Sequence, residues 1–352
     1  MKNTSLVYKG TRSENRPSRT VVVFVAGDVM MGRGVAFQLH QQQTPLQWLA
    51  PQSRSADLAF CNLECVLIAK LGAQQSPHQL LASPDTVHYL RAAGIDIVSL
   101  ANNHSFDAGE VGVRTTLQTL QKAGIVGIGT GSGNGSWPAW EKTIGNRHIA
   151  WLAASAYGPW RKGRTQMRNI AGSGLTDQVR SLTQGGDAVF VSLHWGNEFS
   201  RTPTSGQKEL AHRLIDAGAI AIVGHHPHVV QPVEVYRGKP IFYSLGNFVF
   251  DRLPGRTQDG LAACISLLPS GVVRFHTLPL RSPQQGNLGP ELRSLSLSRP
   301  PKAPMAAGEK LVKMLPGRFV KREAAPQVVV WSRNRSGQDV LRAFVRRSGG
   351  WR

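Results

Sequence analysis

The sequence predicts an α/β fold in which helices cover a mixed sheet, and three observations carry that prediction. Val21-Val22-Val23-Phe24-Val25 is a continuous apolar run rich in β-branched residues, the pattern of a strand buried on both faces. Short runs of this kind alternate with helical stretches through most of the chain. Polar residues of metal-ligand type collect just after those runs, at the ends of the expected strands.

The elements follow in order. A helical segment runs from about Gly34 to Trp48, and ADLAFCN (56–62) reads as a second strand. Ser83-Pro84-Asp85 starts a helix, with a capping serine, proline at the first helical position and an acid in the first turn. That helix ends at Gly94, and a strand follows over 95–100. Another helix spans about Gly109 to Ala123, before a short strand at 125–128. Later strands are expected at 148–154, 188–193, 220–223 and 241–245. The runs 264–268 and 272–278, joined by Pro269-Ser270-Gly271, read as a hairpin. The Gly- and Trp-rich stretch 137–160 reads as loops framing a cleft.

The 352 residues divide into a flexible N-terminal segment (1–19), a core domain (20–282) and a basic, low-order C-terminal tail (283–352). The net charge is +20, and the tail supplies half of it, with 14 Lys or Arg against 4 Asp or Glu. A tail of that composition is a solvated segment or a holder of polyanions, including an anionic membrane surface. Nucleic acid is disfavoured, because no aromatic-interleaved stacking platform or recognition motif is visible. Three cysteines (Cys61, Cys65, Cys264) cannot build a disulfide framework and read as buried thiols. No run reaches the roughly 20 apolar residues of a membrane span. The polar N-terminus lacks the apolar core of a secretory signal, so a cytoplasmic protein is expected.

The chemistry gathers at five strand ends: Gly27-Asp28, Asn62-Leu63-Glu64, Asn102-Asn103-His104, His194-Trp195-Gly196 and Gly224-His225-His226-Pro227-His228. In open α/β sheets ligands bind beyond the carboxyl ends of strands, so five such tips point to one site. Pro227 biases His226 towards extended geometry, in which His226 and His228 face one metal ion together and His225 points elsewhere. Asp28 and Glu64 follow buried strands, where an uncompensated carboxylate is costly and a divalent cation supplies the missing charge. Asn103 offers an amide oxygen and His194 a further imidazole. His104, beside Asn103, then faces the substrate as a general acid. Asp107 either orients that imidazole or caps the following helix. Arg33, in Gly32-Arg33-Gly34, is an anion clamp or a surface arginine.

The strings GDVMMGR, NLE, NNHSFDAG, HWGNEF and GHHPHVVQPVEVYRGKPIFYSLGNFVFD, in that order over about residues 21–251, resemble the CapA family. These are poly-γ-glutamate capsule-biosynthesis proteins, a branch of the calcineurin-like metallophosphoesterases. The resemblance implies a four-layer α/β/β/α sandwich with mixed sheets and a dimetal centre at its edge. It places the ligands on Asp28, Glu64, Asn103, His194, His226 and His228, with His104 as general acid. Asn247, in Ser244-Leu245-Gly246-Asn247-Phe248, lines the site by the same resemblance, and Arg33 and His225 join it as substrate contacts. Two departures stand out. The superfamily's Asp-any-His reads Asp28-Val29-Met30 here, and Glu64 replaces a bridging aspartate. Thioethers suit hard cations poorly, so the site holds one or two ions, or His225 compensates.

The function implied is a metal-dependent hydrolase in which Mn, Fe, Zn or Mg polarises the substrate and a bound hydroxide attacks. Its substrate is a phosphoester or an anionic polymer such as polyglutamate. The alternative is a non-catalytic capsule assembly or transport factor that binds such a polymer. Capsule-associated relatives typically carry an N-terminal membrane anchor, which this sequence does not show.

Overall fold

A computed structural model describes residues 19–40, 46, 50–69, 78–132, 137–158, 165–171, 174–251 and 260–280, with C-terminal strands at 328–333, 339–344, 346–347 and 350–351. The N-terminal segment 1–18 and most of the basic tail lie outside the described residues.

Two mixed sheets pack face to face. The first runs in the order Val273–Leu280, Gly260–Leu267, Val21–Val29, Leu58–Leu63, Ile97–Ser99, Val126–Ile128, with Asn247–Val249 also paired to Val21–Val29. From Val21–Val29 to Val126–Ile128 its strands are parallel, and the hairpin at the other edge is antiparallel. The second sheet has a parallel centre of Lys239–Phe242, Ala221–His225, Ala188–His194 and Arg147–Ser155. Val233–Tyr236 and Trp140–Ile144 flank it as antiparallel partners.

Side-chain alternation sorts each strand between two cores. Val21, Val23 and Val25 point between the sheets, against Trp151, Phe190, Val223 and Phe242. Phe24 and Ala26 point the other way, onto Val35, Leu90 and Leu120 of the helices Arg33–His40, Val87–Ala92 and Gly109–Lys122. On the far side of the second sheet, Val189, Val191 and Leu193 meet Leu175, Val179, Leu210 and Leu214 of helices Leu175–Gln184 and Ser205–Asp216. Helix, sheet, sheet and helix make four layers. The expected α/β/β/α sandwich is the fold of the protein.

The strands fall within a few residues of their expected positions, and Ser83 caps the turn at Pro84–Thr86. The stretch 137–160 differs. Trp140–Ile144 and Arg147–Ser155 form a hairpin, and Trp151 stacks between Phe60 (4.4 Å) and Phe190 (4.6 Å) at zero exposure. Glycine and tryptophan suggested a loop, whereas the glycine serves a tight turn and the indole fills the core between the sheets. In the basic tail, Val328–Arg333 pairs with Val233–Tyr236 and with Asp339–Phe344, extending the second sheet. Among the described residues no helix is long and apolar enough to cross a membrane.

Candidate metal centre

Parallel strands of both sheets end at one edge of the sandwich, and register brings their tips level. Asp28 pairs with Asn62 and Asn247 in the first sheet, and His194 pairs with His225 in the second. The turn after Ala221–His225 is fixed by a close approach: a Cβ on Gly224 would lie 2.0 Å from the Tyr243 carbonyl oxygen. Only glycine lets the chain pass there.

Two groups of potential ligands result, Glu64–His194–His226 and Asp28–Glu64–His228, and they share Glu64. Glu64 is fully buried, and its Oε1 has no hydrogen-bond partner among the described residues. Around that atom stand His228 Nε2 at 3.7 Å, His194 Nε2 at 3.9 Å and His104 Nε2 at 4.0 Å. Asn103 Oδ1 lies 2.8 Å from His194 Nε2, which puts the amide oxygen beside the first group. His228 Nδ1 bonds Asn247 Oδ1 at 2.9 Å, leaving Nε2 towards Glu64. Partners of this kind hold a ligating imidazole in one orientation.

The electrostatics suit a bound divalent cation. Burial, reinforced by the charges of Asp28, Glu198 and Asp107, pushes the Glu64 carboxyl well above the usual carboxylate range. Burial acts on Asp28 in the same direction, but His225, His228 and the Asn62 amide outweigh it and hold that group low. His194 falls well below the ordinary imidazole range through burial and neighbouring histidines, and burial brings His226 down to about 4. Two buried carboxyl groups beside the lowered imidazoles of His194 and His226 form a donor set of oxygen and nitrogen that suits a borderline divalent ion.

The turn departs from its expected geometry. His226 and His228 have φ of +97° and +55°, so neither is extended. Their rings lie 6.2 Å apart and belong to different ligand groups. Pro227 restricts the residue before it, yet the tight turn at the sheet edge overrides that preference. His225 does not reach an opening for substrate. It is fully buried, its Nδ1 within ion-pair distance of Asp28 Oδ1 (3.1 Å) though not aligned as a hydrogen bond, and its ring 5.9 Å from Phe60. Arg33 is engaged by Asp251 at 2.7 Å, while Val35 N–H bonds the other oxygen of that carboxylate. Met30 is fully buried in the core beneath the helices, its sulfur accepting from Gly32 N–H at 3.1 Å.

His104 stands at the rim, partly exposed, with Nδ1 2.8 Å from Asp107 Oδ2. That oxygen also accepts from Leu80 N–H at 2.6 Å, so the carboxylate is itself fixed. Asp107 makes no helix cap, since the following helix starts after Ala108. Two residues escaped the sequence reading. Asn62 Nδ2 donates to Asp28 Oδ1 (2.9 Å) and lies 3.3 Å from Glu64 Oε2, tying both carboxylates to one amide. Tyr157 lies with its ring 4.3 Å from His226. Asn62 was legible as part of its strand-end tip; Tyr157 carried no signal.

The sequence profile described as "Bacterial capsule synthesis protein PGA_cap" matches residues 22–252, which include every ligand candidate above. The chain belongs to that family. The C-terminal segment lies outside the match. Among relatives, the PGA biosynthesis protein CapA of Bacillus subtilis is 33% identical over 267 residues, covering 72% of this chain and 70% of that protein. The capsule biosynthesis protein CapA of Bacillus anthracis is 30% identical over 305 residues, covering 81% and 73%. A probable polyglutamine synthesis accessory protein of Mycobacterium tuberculosis is 30% identical over 320 residues, covering 76% and 82%. A crystal structure of a 5'-nucleotidase from Candida albicans aligns with 76% of this chain and 52% of its own, at TM-score 0.43 and 11% identity.

Proposed function

We propose that this PGA_cap family protein is a metal-dependent hydrolase that processes poly-γ-glutamate, or a related anionic capsule polymer or phosphoester, during capsule synthesis. The observation that carries the reading is Glu64 Oε1, buried, unpartnered and ringed by three imidazole nitrogens at 3.7 to 4.0 Å. A buried carboxylate oxygen left without a donor is costly unless a cation completes it.

Asp28, Glu64 and His228 would hold one divalent ion, and Glu64, His194 and His226, with Asn103, a second. Such ions supply Lewis acidity and water activation when bound. The chain's own residues do the rest. Asn62 keeps the two carboxylates from separating, and Asn247 keeps His228 turned inward. His104, braced by Asp107, offers a proton to the leaving group from Nε2 at the open side of the cluster.

The test pairs metal analysis with a hydrolysis screen over γ-linked glutamate oligomers and phosphoesters. Protein purified gently should carry a divalent metal and turn over a member of one class. A preparation without metal, and inactive when supplied with Mn, refutes the proposal.

A further inference from the structure

The two inward-facing histidines of the 224–228 turn are held by different means. His228 is set by its hydrogen bond to Asn247. His226 Nδ1 is buried with no hydrogen-bond partner among the described residues, so no hydrogen bond at that atom sets the ring's rotation. Its backbone also sits at φ +97°, a region that side-chain-bearing residues occupy only under strain. Hydrogen bonds often fix the orientation of a ligating imidazole, and none does so at His226 Nδ1 among the described residues.

What the His226 ring does have is packing. Tyr157 lies at 4.3 Å with its plane inclined by 37°, and His194 at 4.7 Å. Tyr157 is in turn anchored at two points. Its hydroxyl donates to the Gly196 carbonyl, and its N–H donates to Ser155 Oγ at 3.0 Å. The Gly196 position is itself constrained by its φ of +82°, and a Cβ there would fall 2.7 Å from Gln207 Nε2. The phenol is therefore a fixed plate spanning the ends of Arg147–Ser155 and Ala188–His194, laid against a metal-site histidine whose Nδ1 has no hydrogen-bond partner among the described residues.

We infer that Tyr157 is a positioning residue for His226, and that its ring decides whether the ion held by Glu64, His194 and His226 binds. The inference rests on the two-ion reading above and assigns Tyr157 to one ion only. His228 packs instead against Phe250 at 4.8 Å, so the ion at Asp28, Glu64 and His228 does not depend on Tyr157.

The experiment reconstitutes the full chain with Mn(II) as wild type, Tyr157→Ala, Tyr157→Leu and Tyr157→Phe. Binding is followed by calorimetry and by electron paramagnetic resonance, which separates a spin-coupled pair from a single Mn(II). Wild type should show the coupled pair. Tyr157→Ala and Tyr157→Leu should lose the coupling and weaken one of the two binding steps roughly 10- to 100-fold, the range for losing a residue that orients a ligand. Tyr157→Phe, which keeps the ring, should retain the coupled signal with affinity within about threefold. Leucine keeps the site filled should alanine fail to fold. Coupled pairs of wild-type affinity in both truncated variants overturn the inference and leave the two-ion reading standing. A wild type with no coupled pair overturns both.

Discussion

His225 Nδ1 lies 3.1 Å from Asp28 Oδ1, and neither residue reaches solvent. The imidazole stands where Asp28 would otherwise face apolar packing that includes Phe60. It supports the carboxylate and does not take part in either ligand group. His225→Leu removes that partner at similar volume and leaves a buried charge less compensated. The metal-free variant should lose about 3 kcal/mol of stability, the scale for leaving a buried carboxylate without its partner. Added divalent metal should restore more stability to the variant than to wild type, because a cation supplies the charge that His225 no longer offsets. Denaturant melts with and without Mn(II) check this, and equal metal-free stability would refute it.

Metal uptake should release protons, and Glu64 should be one source. Burial, with the charge of Asp28, holds the Glu64 carboxyl well above its ordinary range, so the metal-free site keeps that proton to higher pH than a free carboxyl would. His226, brought down to about 4, and His194, also lowered, are already neutral there and release none. The sign follows: a cation favours the carboxylate, so apparent metal affinity falls as pH drops below the raised Glu64 value. Titrations at several pH values in buffers of different ionisation enthalpy should show net proton release that grows as pH falls towards the acidic side. No buffer dependence would remove Glu64 as the shared ligand.

How much of this was legible in the sequence depends on the kind of signal. Val21–Val29 announced itself through continuous β-branched residues, and its inward and outward alternation follows from the pleat. The five polar tips were legible because ligand-type side chains seldom follow buried strands without reason. The division of His226 and His228 between two groups was not, since it depends on positive φ in a turn whose shape comes from packing against the Tyr243 carbonyl. Arg33 illustrates the same limit: its partner Asp251 is more than two hundred positions away. Tyr157 is positioned by Gly196 and Ser155, and nothing near it in sequence suggests a ligand.

His104 and Asp107 should separate chemistry from metal binding. His104 Nε2 is 4.0 Å from Glu64 Oε1 at the partly exposed side of the cluster, and Asp107 fixes the opposite ring nitrogen. His104→Asn should lower kcat by about 10² to 10⁴, the usual worth of a positioned proton donor. Metal content should stay at the wild-type level. Asp107→Ala should fall less, by about tenfold, because the imidazole remains but its orientation loosens. Parallel measurement of kcat and bound metal checks both, and a His104→Asn protein that loses its metal would make His104 a ligand.

Met30 offers the sharpest contrast between sequence and structure. The sequence resemblance put Met30 in the place of a metal-binding histidine, an expectation under which Met30→His would complete the site. The side chain, however, is fully buried in the core between the first sheet and its helices, with its sulfur against Gly32 N–H. Two residues back, Asp28 faces the cluster, but the pairing register shifts between Asp28 and Val29, so strand alternation does not carry the site's orientation on to Met30. An imidazole placed there would exchange a soft apolar contact for a buried polar ring among aliphatic neighbours. Met30→His should therefore cost about 2–4 kcal/mol of stability and add no metal. Elemental analysis beside a denaturant melt decides the point: a stable variant with tighter or additional metal would mean that position 30 faces the ions after all.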